Sequence, residues 1–165
     1  MAYLLDANVF IQAKNLQYGF DFCPAFWSWL DQAYDAGRLC SIRQVGDELT
    51  GGGDELAEWA LGREDGFFLA PDAAVLTAAQ HVSAWVVQQG YEPAAVNTFM
   101  QVADFWLVAT ALTGHHTLVT HEVASASVKK IKIPNVCIGL GVDFMSPYQM
   151  LRREQARFVL GPTPT

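Results

Sequence analysis

The stretch Met1-Ala-Tyr-Leu-Leu-Asp6-Ala-Asn8-Val-Phe-Ile11 determines how the rest of the chain is interpreted. An apolar run of strand length ends at Asp6, and apolar residues resume directly after Asn8. The pattern predicts a buried strand over residues 3–5 that delivers an acidic side chain to its carboxyl end, which is the edge where open α/β sheets bind ligands. Each of the two polar residues also suits a helix N-cap, so this stretch alone leaves a capping role open.

Two more acids begin or line apolar helices. Glu48 falls at helical spacing with Val45 and Leu49, so it is predicted to face inward, whereas Asp47 is predicted to face solvent. Asp104 precedes apolar residues at positions 107, 108, 111 and 112, and it therefore heads the buried stripe of its helix. A first-turn acid that is favoured by the helix dipole is the alternative interpretation of Asp104.

A fourth acid repeats the arrangement of the first. Glu122 follows the apolar run 117–120 in the way that Asp6 follows residues 3–5. If the two strands are parallel neighbours, both acids lie at the same carboxyl edge of the sheet. Asp143 is an alternative for the position given to Glu122.

The chain alternates between apolar runs of strand length and helical patterns. Strands separated by helices predict a parallel sheet with helices on both faces, and hence a single three-layer α/β/α domain over residues 1–165. Gly37, Gly90 and Gly114 are predicted to end helices. Strands are predicted at 3–5, 39–42, 67–69, 117–120 and 130–133. Helices are predicted at 9–15, 24–34, 45–49, from 54, 72–89, from 93, 102–113 and 147–158, the last of them basic.

Composition limits the class of protein. The 165 residues are 52% hydrophobic and carry a net charge of −7, which argues against a protein that only grips nucleic acid by its phosphates and suits a site that collects cations. No run approaches the roughly 20 apolar residues of a membrane span, and a strand that begins at residue 3 leaves no room for a signal peptide. We therefore expect a cytoplasmic protein without a membrane partner. Cys23, Cys40 and Cys137 lack disulfide or zinc spacing and are expected to be reduced thiols.

Gathering four carboxylates is unfavourable unless something offsets their charge. Two carboxylates about 4 Å apart repel by roughly 4 kcal/mol at an effective dielectric constant near 20. Hard oxygen ligands suit Mg²⁺ or Mn²⁺, so the acids predict a site for one of these ions. The four histidines show neither paired helical spacing nor Cys/His pairing, and a zinc site is not predicted. They are His81, His115, His116 and His121.

Four motifs, in order and spacing, resemble the PIN-domain family of metal-dependent ribonucleases, the fold of VapC-type toxins. The motifs are Leu4-Leu5-Asp6-Ala7-Asn8-Val9-Phe10, Val45-Gly-Asp-Glu48-Leu49, Ala103-Asp104-Phe-Trp-Leu-Val-Ala109 and Val119-Thr120-His121-Glu122. The stretch Lys132-Ile133-Pro134-Asn135-Val136-Cys137 is similar to one PIN-like subgroup of poorly defined function. The chain departs from the family pattern at Glu122, where many members have Asp.

The resemblance implies an endoribonuclease that hydrolyses RNA phosphodiester bonds with Mg²⁺ or Mn²⁺, leaving a 5′-phosphate and a 3′-hydroxyl. It implies that Asp6, Glu48 and Asp104 hold the main ion. Glu122 would support a second ion or orient a water molecule.

The resemblance also implies supporting residues and partners. Asn8 and Thr120 would position an acid by hydrogen bonding rather than bind the ion directly. PIN toxins commonly form homodimers and are restrained by an antitoxin peptide laid over the acidic pocket, so both a homodimer and an antitoxin protein are expected.

Other features leave alternatives open. The basic clusters at 129–132 and 152–157 are predicted to be solvated faces rather than an RNA track, and the aromatic group at 22–29 is predicted to pack rather than to stack on bases.

Two other functions stay in consideration. One is a PIN-like module that binds RNA or protein without cutting, and the other is a haloacid-dehalogenase-like phosphatase, which would need a second Asp where Asn8 stands.

Overall fold

A parallel five-stranded sheet organises the computed structural model, which describes residues 1–161. The strand order is β3-β2-β1-β4-β5, and every neighbouring pair runs parallel. The first strand is therefore central, and all three of its residues are buried because the sheet is covered on both faces. The strands are β1 (Tyr3–Leu5), β2 (Leu39–Ile42), β3 (Phe68–Leu69), β4 (Thr117–Val119) and β5 (Phe144–Met145).

Helices connect the strands and cover the sheet, giving the predicted α/β fold with a PIN-like three-layer arrangement. The first helix continues as a π-helical turn at Ala13–Gln17. Within residues 1–161 the α-helices are α1 (Ala7–Gln12), α2 (Pro24–Asp35), α3 (Arg43–Thr50), α4 (Glu55–Leu61), α5 (Ala73–Val87), α6 (Pro93–Gln101), α7 (Ala103–Gly114), α8 (Ile133–Leu140) and α9 (Pro147–Arg153). The domain prediction extended to residue 165, and residues 162–165 lie outside the described part of the chain.

Helix α7 is the central helix of the fold. It packs against β2 and β4 and against helices α3, α5, α6 and α8, and most of its residues are buried. This burial explains why its sequence is apolar on nearly every face. The chain bends by 70° between α6 and α7. Asp104 lies just after this bend, in the first turn of the mostly buried helix α7.

The prediction of a strand at 130–133 is wrong. Ile131 and Ile133 are both buried, which produces the alternation that suggested a strand. Ile133 instead begins α8, and Pro134 follows it in the first turn, where a missing N–H is tolerated. The fifth strand is β5, whose two residues are too few to give a recognisable pattern.

Two predicted helix ends are also wrong. The C-terminal helix, predicted at 147–158, ends at Arg153, and Gln155 has a positive φ of 54° that a continuing helix does not allow. Gly114 is the last residue of α7, whereas His115 takes the left-handed conformation that ends it.

Other predictions about the core are confirmed. The prediction that the aromatic group at 22–29 packs holds for Phe26 and Trp27, which are buried, and Trp27 stacks on Phe20. It is wrong for Phe22, which is 65% exposed. Cys23, Cys40 and Cys137 are free thiols. Across residues 1–161 no single helix is long and apolar enough to cross a membrane, whereas α6 and α7 meet the length and apolarity criteria only when taken together across their bend.

Candidate functional site

Asp6 lies at the carboxyl end of the central strand, where its backbone N–H donates to the Val119 carbonyl at 2.9 Å. Its side chain is 4% exposed. Although Asp6 occupies the N-cap position of α1, its carboxylate makes no capping hydrogen bond. The carboxylate oxygen Oδ2 instead accepts a hydrogen bond from the Thr120 hydroxyl at 2.8 Å. The capping interpretation of this acid is therefore not supported by its contacts.

Thr120 is the centre of a small hydrogen-bond network. Its hydroxyl oxygen accepts from the Asn8 amide nitrogen at 3.2 Å and from the Glu122 backbone N–H at 3.0 Å. The Asn8 amide oxygen accepts from the His121 backbone N–H at 3.2 Å. Asn8 and Thr120 thus hold one acid from the β1 edge and another from the β4 edge in a fixed relation.

Burial and neighbouring carboxylates change the ionisation of Asp6 and Asp104. Burial, followed by the charge of Asp104, raises the pKa of Asp6 to about 7. Burial, followed by the charges of Glu122 and Glu48, raises the pKa of Asp104 to about 6, although Lys130 acts in the opposite direction. Both carboxyls therefore lie in surroundings that disfavour their charged forms.

The structure brings Glu122, and not Asp143, to this group. Glu122 follows β4, which is a parallel neighbour of β1, so the acids that follow these two strands share one edge of the sheet. Its Oε2 accepts from the Ile133 backbone N–H at 2.8 Å. Asp143 immediately precedes β5 and lies beside His115 and His116, away from this edge.

The prediction that Glu48 faces inward and Asp47 faces solvent needs correction. The buried residues of α3 are Val45, Gly46 and Leu49, and successive helical residues point about 100° apart. Glu48 therefore lies on the flank of the buried stripe and is exposed. Asp47 and Glu48 both line an open cleft, so Asp47 joins the three predicted site acids that line it, Glu48, Asp104 and Glu122.

An open cleft of about 790 Å³ lies beside these acids. Helix α6 supplies part of its wall, and Trp106, which is half-buried, contributes an aromatic surface. Lys129 and Lys130 line the cleft as well, although the sequence predicts their cluster to be an ordinary solvated face. Asp6 does not line the cleft, and the charges of two cleft acids, Asp104 and Glu122, act on its ionisation.

The donor set fits a hard divalent ion, and the positions of the side chains need adjustment to hold one. The four carboxylates supply only oxygen, which suits Mg²⁺ or Mn²⁺. In the described range 1–161, no three His, Cys, Asp or Glu side chains are grouped closely enough to hold a metal ion. The exposed Glu48 is the member of the set with the greatest freedom to move, because its side chain lies at the cleft surface.

Replacing Thr120 with valine tests the hydrogen-bond network. The variant removes a donor to Asp6 and an acceptor for Asn8 and Glu122. We expect the free energy of unfolding to fall by about 1–3 kcal/mol because buried polar groups lose their partners. We also expect the pKa of Asp6 to rise, since the hydroxyl stabilises the charged carboxylate. Carboxyl NMR titration measures this pKa, and an unchanged value in a folded variant would contradict the role given to Thr120.

Comparisons with known proteins identify a family that matches the chain and a solved structure with a similar fold. Residues 3–158 match the family described as "Domain of unknown function (DUF4411)". The crystal structure of VapBC2 from Rickettsia felis bound to a DNA fragment from their promoter is similar, with a TM-score of 0.55 and 15% sequence identity, over 88% of this chain and 98% of that chain. At this identity the likeness concerns the fold alone. No curated protein matches the chain.

Proposed function

Because the chain belongs to the DUF4411 family, whose description assigns no activity, we propose a function from the site itself: a Mg²⁺- or Mn²⁺-dependent ribonuclease that hydrolyses RNA phosphodiester bonds. The observation that carries the proposal is that two buried acids, Asp6 and Asp104, lie beside further carboxylates near the carboxyl edge of the sheet. Asp6 and Asp104 have raised pKa values because they are buried and because other carboxylates face them. A divalent cation is the ligand that would relieve this repulsion.

Asp6, Glu48, Asp104 and Glu122 would hold the ion. When bound, the ion supplies an activated water nucleophile and offsets the negative charge that grows on the phosphate during attack. The resemblance of the four acidic motifs to PIN-domain ribonucleases and the fold shared with VapBC2 support this reaction over others that use the same ion.

The remaining residues act on the acids or on the substrate. Thr120 donates to the Asp6 carboxylate, and Asn8 donates to Thr120. Because these contacts already fix the carboxylate, it loses little conformational freedom when it binds a cation. Glu122 is fixed through one oxygen only, since Oε2 accepts from Ile133, which leaves Oε1 for a cation or a water molecule. The cleft of about 790 Å³ is open, and this opening would give an RNA strand access to the acids that line it.

A toxin–antitoxin role is part of the proposal. The solved VapBC2 structure with the same fold is a complex bound to a promoter fragment, as its title states. We infer that an antitoxin protein covers the cleft of this chain and that the chain pairs as a homodimer. Purification together with the product of an adjoining small reading frame, with loss of cleavage in the complex, would test the antitoxin. Analytical ultracentrifugation would test the dimer.

Metal-dependent cleavage is the direct test of the reaction. We expect purified protein to cut a mixed-sequence single-stranded RNA in the presence of Mn²⁺ or Mg²⁺, to lose activity in EDTA, and to regain it when the ion is restored. The products should carry 5′-phosphate and 3′-hydroxyl ends, which end-specific ligation detects.

The same assay separates the two other functions. RNA binding without cleavage at saturating Mn²⁺ would favour a catalytically silent binding module. Hydrolysis of small phosphoesters with intact RNA would favour the haloacid-dehalogenase-like phosphatase, although Asn8 stands where that class needs a second acid.

A further inference from the structure

The segment from residue 121 to residue 132 connects β4 to α8 without forming a helix or a strand. We refer to residues 121–132 as the connecting segment. It carries Lys129 and Lys130, both exposed, into the lining of the cleft. Among the described residues, neither lysine forms an ion pair with a carboxylate. Two positive charges therefore border a cleft whose other charged lining groups are acids.

Contacts at the base of the connecting segment fix where it lies. Glu122 at its beginning accepts from the Ile133 backbone N–H at 2.8 Å, which closes the segment into a loop. Ile131 is 5% exposed, so the residue directly after the two lysines is buried in the core. The buried Ile131 therefore holds the backbone of Lys129 and Lys130 beside the cleft.

Asn135 provides a second closure from the first turn of α8. Its amide oxygen accepts from the Ser125 backbone N–H, and its amide nitrogen donates to the Ser125 carbonyl, both at 2.9 Å. Such paired contacts satisfy both backbone groups of one loop residue and set its orientation. Asn135 belongs to the Lys132–Cys137 stretch noted in the sequence, and the acidic site does not use it.

A third contact joins the connecting segment to helix α6. The backbone N–H of Glu92, at the start of α6, donates to the Val128 carbonyl at 2.9 Å. Helix α6 lines the cleft, so this bond fixes the segment relative to the wall that a ligand would touch. The residue that follows Val128 is the first of the two lysines.

We propose that the connecting segment is a phosphate clamp, in which Lys129 and Lys130 bind the RNA backbone in the cleft and Asn135 positions them. The proposal rests on the ribonuclease function above. A polyanion that approaches four carboxylates in a protein of net charge −7 needs local cations. Lysine suits this task because its ammonium group is a flexible point charge that binds phosphate without a fixed geometry.

Binding measurements without cleavage test the clamp. The background variant is Asp104→Asn in the full-length chain, and the probe is a fluorescein-labelled oligouridylate of about 12 nucleotides, titrated at several salt concentrations with Mg²⁺ present. We expect Lys129→Gln with Lys130→Gln to weaken binding about tenfold or more and to flatten the slope of log affinity against log salt by about 0.7 for each phosphate that is no longer neutralised. Arg152→Gln with Arg157→Gln is the matched control, because it removes the same two charges from exposed residues outside both the connecting segment and the cleft lining and should leave the slope unchanged.

Asn135→Ala tests the positioning role. Since this residue acts through the lysines, its effect on affinity should be much smaller in the protein that already carries both lysine changes than in the protein that retains them. Equal effects in the two backgrounds would overturn the positioning role, because an Asn135 that only stabilised the fold would give additive losses.

The outcome also distinguishes the clamp from the reaction. An unchanged affinity and salt slope in the Lys129→Gln, Lys130→Gln protein would overturn the clamp even if the unmodified chain cuts RNA. A flattened slope in a protein that cuts no RNA with any metal would support the clamp as an RNA-binding element and would remove the ribonuclease function. Absence of RNA binding by the Asp104→Asn protein that retains both lysines would overturn the clamp.

Discussion

Replacement of Asp104 by asparagine is expected to reduce RNA cleavage by on the order of a thousandfold while leaving the protein folded. The change keeps the size of the side chain but removes a carboxylate that lies near Glu122 and Glu48 and whose charge acts on Asp6. An ion held by the remaining three acids would be bound more weakly and would be placed less accurately against the phosphate. Single-turnover cleavage at saturating Mn²⁺ measures the loss.

Asp143→Asn is the matched control for this experiment. It makes the same chemical change at an exposed residue that directly precedes β5, away from the carboxyl edge of the sheet and beside His115 and His116. We expect it to cleave RNA at the unmodified rate. Comparable activity in folded Asp104→Asn protein, or an equal loss in both variants, would contradict the assignment of Asp104.

Metal-free protein is expected to lose stability as pH rises from about 5 to about 8, by roughly 2–4 kcal/mol from Asp6 and Asp104. Their pKa values in the folded state are about 7 and about 6, above the ordinary value of 3.8. The folded state therefore holds more protons than the unfolded state between these values, and the free energy of unfolding falls as pH rises. The stabilising contribution is fully present below about pH 4 and is lost by about pH 7 to 8.

Asp6→Asn isolates this effect from other titrating groups. His116 and His121 have pKa values lowered by burial, so they change stability in the opposite direction at lower pH. Their contribution cancels when Asp6→Asn is compared with unmodified protein in urea unfolding. The variant should be the more stable of the two at pH about 8 without metal, and Mn²⁺ should stabilise only the unmodified protein strongly. Parallel pH dependences in the two proteins would contradict the raised pKa of Asp6.

The sequence identified the elements that depend on local pattern. The strands β1, β2 and β4 are buried on both faces, so each appears as a mostly apolar run, with Ser41 in β2 and Thr117 in β4 as buried polar residues. Asp6 and Glu122 were located by their position after such runs. Asn8 and Thr120 were assigned a hydrogen-bonding role from the resemblance, and the network around Thr120 has the form expected.

Features that depend on distant contacts could not be read from the sequence. Ile131 and Ile133 alternate as in a strand because both are buried, although one lies in an irregular segment and the other in a helix. The sequence could not decide between Glu122 and Asp143, because the two-residue strand β5 gives no recognisable pattern. The structure shows that Asp143 precedes β5 and therefore does not lie at the carboxyl end of that strand. The cleft combines α6, Trp106 and the connecting segment, and no local pattern predicts that these approach one another.

Calorimetric titration of Mn²⁺ into metal-free, folded protein tests most directly whether the four acids converge on one ion. At pH about 8, above the pKa of Asp6, we expect saturable uptake that weakens as pH falls through about 7, because protons then compete with the ion. Uptake should be lost in Asp104→Asn and kept in Asp143→Asn. Folded unmodified protein that takes up no Mn²⁺ or Mg²⁺ at pH about 8, or Asp104→Asn protein that binds as tightly, would contradict the metal site and the ribonuclease function that depends on it.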